Sequence, residues 1–231
     1  SPKMLQFIVL TLIFILLPGQ AFSGTVKGTA TYSAEAKPLA SHKTGKFKKA
    51  CGGDVPNEEL LVKNQNLRNV VVYVEGEITG SKPGTYPIDQ KNCRYEPHVS
   101  VMMKGSEISI SSSDPINHNI HTYSFDNDPI NIMFVPGQDI YEQEMEEPEV
   151  IKVECDLHGW MTAWIVATEN SYFAVSDEDG AFKIPDLPAG KYVLTAWQEV
   201  LGSVSQKITV EDEDLTVNFD FAEVTPEISK K

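Results

Sequence analysis

The chain is poor in several things, and most of these shortages exclude a class of protein. Positive charge is short: 19 Lys and Arg stand against 33 Asp and Glu, a formal net charge of −14. That balance argues against a nucleic-acid partner and against anionic membrane surfaces. Long apolar runs are absent after residue 17, so no later segment reads as a membrane-crossing helix. Helical periodicity is weak throughout. Only "DIYEQEMEEPEV" (139–150) suits a helical turn or two, and Pro148 limits it. No phosphate-cradling loop, Ser-His-Asp arrangement or acid pair stands out, so the chain does not read as an enzyme. Cysteine is also scarce, at three in 231 residues.

What is present begins with an export signal. Lys3 precedes an apolar run from Met4 to Leu17, Pro18 and Gly19 end it, and Ala21-Phe22-Ser23 offers small residues for cleavage before Gly24. Residues 1–23 are therefore expected to be a secretory signal peptide, and the mature protein to be periplasmic or extracellular, with no stable membrane insertion. With no cysteine near the cleavage point, a lipoprotein is not expected. In an exported chain two of the three cysteines should pair. Cys155 has metal-type neighbours, so Cys51 ("KACGGD") and Cys93 ("DQKNCRYEP") are the expected disulfide, tying down a loop that includes "ASHKTGKFKKACGG" (40–53).

The rest reads as β. Short alternating or β-branched runs such as "TVKGTATY" (25–32), "LRNVVVYVEG" (67–76), "SEISIS" (106–111), "EVIKVEC" (149–155), "MTAWIVAT" (161–168) and "KYVLTAW" (191–197) are separated by turn dipeptides, among them Lys104-Gly105, Asp114-Pro115 and Asp179-Gly180. That spacing predicts an all-β chain of β-sandwiches. Candidate ligands fall between about 90 and 168, and residues 172–221 carry none. Asp177 and Asp179 lack the rest of a calcium loop and read as turn residues. The tail from Glu223 is polar and should fray.

"CDLHGWM" sets Cys155, His158 and Met161 three apart after an alternating strand. A type 1 copper site uses two imidazoles, one thiolate and a distant thioether. One tight loop can supply three of these, and Gly159 lets the chain bend close to a metal. The second histidine has to come from another strand. His98, His118 and His121 are candidates. His118 and His121 lie three apart, so on a regular strand they face opposite sides. His118 is chosen because it follows the turn "SSDPIN" and precedes Asn119, whose amide suits a hydrogen bond to the facing ligand loop. His98 is expected to be structural, His121 to be hydrogen-bonded near the site, and His42 to be exposed in its polar loop. Trp160 is a candidate for covering the metal edge and for docking. The His-Cys-His link of a trinuclear copper cluster is missing.

With "SSDPINHNIHTYSF" and "VECDLHGWMTAWIV" together, the chain resembles the cupredoxins. Its Cys-x2-His-x2-Met loop has the spacing of amicyanin, and a similar layout occurs in exported bacterial cupredoxin-like proteins, some labelled methylamine-utilisation proteins. "SYFAVSDEDGAFKIPDLPAGKYVLTAW" resembles a carboxypeptidase regulatory-like, transthyretin-like sandwich. The resemblance, over about 67–202, implies a cupredoxin Greek-key β-sandwich plus that second sandwich, copper on His118, Cys155, His158 and Met161, one-electron transfer, and a redox partner protein. The acidic composition and Trp160 hint at a basic cytochrome. The expected divisions are a signal peptide (1–23), N-terminal strands belonging to the regulatory-like sandwich (24–80), a cupredoxin domain (81–168), the rest of that sandwich (169–222) and a tail (223–231). The alternative is a non-redox metal-binding or cell-surface interaction module.

Overall fold

The computed structural model describes residues 22–222, so nearly all of the expected signal peptide and the tail from Glu223 lie outside the described residues. Those residues fold as strands joined by turns, with one 3-10 turn at Gly45–Phe47 and no α-helix among them. No helix among them is long and apolar enough to cross a membrane.

Two sheets draw strands from both ends of the chain. In one, Ser23–Thr31 runs antiparallel to Ala181–Pro188 and parallel to the short strands Leu215–Thr216 and Phe219–Asp220. In the other, Val71–Val74 lies between Phe173–Val175 and Gly190–Gln198, with Gly202–Val210 beyond. Their inward residues form one core, including Val26, Val72, Val74, Phe182, Ile184, Leu194 and Phe219.

The other two sheets use only strands between residues 85 and 168. A five-stranded sheet runs Asn131–Phe134, His118–Tyr123, Glu149–Glu154, Thr162–Thr168, Val99–Met103. A four-stranded sheet runs Tyr141–Met145, Ser106–Ser112, Thr85–Lys91, Arg94–Glu96. Period-two alternation explains the core between them: Ile108 and Ile110 turn inward from one sheet, Ile151 and Val153 from the other. A third cluster joins the two pairs of sheets through Val71, Val99, Val101, Val166 and Trp197.

Residues 139–150 depart from the sequence expectation. Tyr141–Met145 is a strand paired with Ser106–Ser112, and a further strand begins at Glu149. Pairing and the burial of Met145 override the helical preference of a Glu-rich segment.

Candidate metal centre

Residues 155–161 leave the central strand Glu149–Glu154 and turn back at once. The Cys155 N–H donates to the Met161 carbonyl (3.2 Å), and the Met161 N–H donates to the His158 carbonyl (2.8 Å). These bonds fold Cys155, His158 and Met161 into a closed loop in which all three are buried. His118 opens the neighbouring strand, opposite Phe134, and is fully buried.

Asp114 sets the direction of the His118 ring. Its carboxylate accepts from His118 Nε2 at 2.7 Å and from the backbone N–H groups of Asn92 and Cys93, both at 2.7 Å. With Nε2–H committed to Asp114, Nδ1 turns inward. There it meets His158 Nδ1 at 3.0 Å, and His158 Nδ1 lies 3.7 Å from Cys155 Sγ. The Asn119 N–H donates to the same sulfur at 3.4 Å. The side chain of Asn119 holds the loop from across the sheet end: its Oδ1 accepts the Asp156 N–H at 2.7 Å, and its Nδ2 donates to Asp156 Oδ2 at 2.9 Å.

The electrostatics follow from this packing. Burial alone would lower the pKa of His118, but hydrogen bonds and charges of Asp114 and Cys155 raise it to about 9. Burial would raise the Cys155 thiol, yet its bond to His118 and nearby backbone N–H groups bring it below its ordinary value. His158 is lowered by burial and then by the His118 charge. Asp114 is lowered although burial opposes it, through His118 and the two backbone donors.

Two inward-facing Nδ1 atoms at 3.0 Å cannot both present bare lone pairs, so a proton or a cation must lie between them. The Cys155 sulfur completes the set. All three donors are buried and lie within 4.8 Å of one another. Two imidazoles and one thiolate match the equatorial donors of a type 1 copper site, so the residues fit that ion. Met161 packs in the same apolar cluster as Cys155 and Ile120.

The remaining histidines are not among the three converging donors. His121 faces the other side of its strand, stacks on Tyr123 with ring centroids 4.5 Å apart, and binds Asp156 at 3.1 Å. His98 is buried and pairs with Glu199. His42 differs from its expected exposure: it forms a β-bridge with Val55 and is half-buried. The expected disulfide, Cys51–Cys93, is formed, and Cys155 is the free cysteine.

Two residues that sequence reasoning missed complete the surroundings. One is Asp114, which in the sequence stands only as part of a turn. Its position four residues before His118 was the available signal. The other is Phe47, whose ring meets His158 edge-on with centroids 4.5 Å apart. Trp160 lies 5.2 Å from the same imidazole and donates its indole N–H to the Cys93 carbonyl at 3.1 Å. The sole signal for Phe47 was an aromatic residue set among lysines.

Comparison with known proteins gives partial matches. Residues 150–217 match the family described as polysaccharide lyase family 4, domain II, an fn3-type domain. A search of curated proteins returns no match. Similar solved structures include the copper-containing nitrite reductase NirK from Thermus scotoductus SA-01, at 16% identity over 41% of this chain, with a TM-score of 0.34. The chain spans 25% of that protein's length. A purple cupredoxin from Nitrosopumilus maritimus is similar at 21% identity over 36% of this chain and 98% of its own, with a TM-score of 0.31. A reduced Cu(I) form, at pH 4, of a proline-to-glycine mutant of amicyanin is similar at 16% identity over 42% of this chain and 97% of its own, with a TM-score of 0.33.

Proposed function

We propose that the chain is an exported copper protein that carries one electron at a time. The observation that carries this reading is the buried convergence of His118 Nδ1, His158 Nδ1 and Cys155 Sγ. These three side chains would hold the ion, with Met161 as the fourth, distant ligand. The chemistry supplied by copper when bound is exchange between Cu(I) and Cu(II). The protein's part is to keep the donors fixed. Asp114 holds the His118 ring, the Asn119 N–H supports the sulfur, and Asn119 ties the loop to the sheet. Burial of every ligand keeps bulk water away. The Cys51–Cys93 disulfide suits an oxidising compartment, and we assign the protein to the periplasm or the extracellular space.

In this reading residues 81–168 are a cupredoxin domain with an amicyanin-type loop, set within a regulatory-like sandwich formed by 24–80 and 169–222. The protein is a carrier rather than an enzyme and exchanges electrons with a redox partner protein.

The test is the visible absorption of the oxidised, copper-loaded protein. Strong thiolate-to-copper absorption is expected, together with its loss in Cys155→Ser. A donor set of one thiolate and two imidazoles also suits zinc. A metal-loaded but colourless and redox-silent protein would favour that non-redox reading and overturn the first.

A further inference from the structure

The chain's acidic balance is reversed at one place. Residues 36–53 contain five lysines and no carboxylate, in a protein of net charge −14. Within that stretch the fold builds a compact cap. The Phe47 N–H donates to the Thr44 carbonyl (3.0 Å), Cys51 N–H to the Phe47 carbonyl (2.9 Å), and Thr44 Oγ1 to the Gly53 carbonyl (2.8 Å). The His42–Val55 bridge closes its base, and the Cys51–Cys93 disulfide fixes it to the strands of 85–168.

The cap lies over the candidate metal centre. His158 is only 3% exposed, and the ring packed edge-on against it is Phe47, which is half-buried. Lys46 Nζ stands 5.0 Å from the Phe47 centroid, and Lys43, Lys48 and Lys49 are exposed around it. Asp54 offsets part of this charge, at 2.8 Å from Lys43 and 4.0 Å from Lys48. Lys46 and Lys49 make no ion pair with any described residue in the structure. A second rim of the site is different: Leu157 is exposed there, and Asp156 is paired with His121. Salt screens exposed charges over about 8–10 Å, so at contact distance the cap's own lysines count for more than charges farther away.

We propose that this disulfide-anchored lysine cap is the docking surface for the redox partner, and that the partner presents a carboxylate-rich protein surface. The sign is opposite to that expected from overall composition, which suggested a basic cytochrome. The proposal rests on His118, Cys155 and His158 being the metal centre. Phe47 would then be the contact through which the electron leaves His158. Local charge of this kind acts mainly on association rate and orientation.

Two measurements test it, both on the full, disulfide-intact chain. The first needs no metal: titration with an oligo-glutamate peptide, followed by tryptophan fluorescence, since Trp160 lies 6.3 Å from Phe47. Saturable binding that weakens with salt is expected, falling about tenfold in the Lys46→Glu/Lys49→Glu double variant. No binding, or equal binding by the variant, overturns the proposal. So does binding to phosphatidylserine vesicles without binding to oligo-glutamate, which would make the cap a membrane contact.

The second measurement uses copper-loaded protein and stopped-flow mixing. One electron passes from the reduced site to hexacyanoferrate(III), giving hexacyanoferrate(II). The rate should fall as salt rises, and should be about tenfold lower in the double variant. Transfer from hexaammineruthenium(II) to the oxidised site should not be slowed in the variant. A hexacyanoferrate rate that rises with salt, as net charge alone demands, overturns the proposal. Failure to take up copper would sink the metal reading instead, leaving the peptide titration to decide the docking surface. The variant's melting temperature and copper content show whether its fold is intact.

Discussion

Asp114 decides which nitrogen His118 offers. Its two backbone donors, Asn92 and Cys93, hold the carboxylate, and the carboxylate holds Nε2. Asp114→Asn keeps the size but removes the charge and frees the ring to flip. Loss of such an outer partner weakens metal binding by about 10–100-fold. A competition titration against a chelator of known affinity checks this, and unchanged affinity would show that Asp114 does not orient the ligand. The ligand spacing in "CDLHGWM" was legible because one loop supplies it. Strand alternation let only one of His118 and His121 face the loop, and the turn before His118 together with Asn119 after it singled out His118. Asp114 was hinted at only by its spacing four residues before His118, and Phe47 acts through a contact that local sequence does not display.

Two elements control how the site is framed. The cap is held by Cys51–Cys93 across 42 residues of sequence. Replacing both cysteines with serine should cost about 2–4 kcal/mol of stability. It should also speed removal of bound metal by a chelator, because Phe47 would no longer be held over His158. Equal release rates in the two proteins would show that the cap does not shield the ligand. In the other sandwich, Gly28 lies under the segment that joins Leu215–Thr216 to Phe219–Asp220. A Cβ there would fall 1.7 Å from the Val217 carbonyl oxygen, while the Val217 N–H donates to the Lys27 carbonyl. Gly28→Ala must therefore displace backbone, at a cost of about 3 kcal/mol. Denaturant unfolding measures it, and a loss under half that would mean the segment yields easily.

At the scale of the molecule, the two pairs of sheets are joined by a buried polar contact as well as by the Val71–Val166 cluster. Glu199 receives the Trp164 indole N–H at 2.8 Å and pairs with His98, and Glu58 lies 4.0 Å from the same imidazole. Burial alone would lower the His98 pKa; its bond to Glu199 and the charges of Glu199 and Glu58 raise it above 6.5. The stability it contributes is complete below 6.5 and is lost as the pH climbs through the raised value. The melting-temperature gap between wild type and His98→Gln should thus be widest in mild acid and shrink as the pH rises. A gap that widens with pH would reverse the assignment. A fragment starting near residue 170 should not unfold cooperatively, because it lacks the strands that bring Val26, Ala30, Val72 and Val74 into its core.

By itself the sequence determined the local features: alternating runs that make strands, turn dipeptides between them, a loop with Cys, His and Met at fixed spacing, and a cysteine pair distinct from Cys155. These are set within a few residues, by side-chain periodicity and backbone preference. Tertiary structure decided which distant segments meet. It made a strand of 141–145 by giving it Ser106–Ser112 as a partner. It placed Asp114 behind His118 and a lysine-rich loop over His158. Such contacts depend on long-range packing, because burial and pairing favour them only once the sheets that carry them have come together.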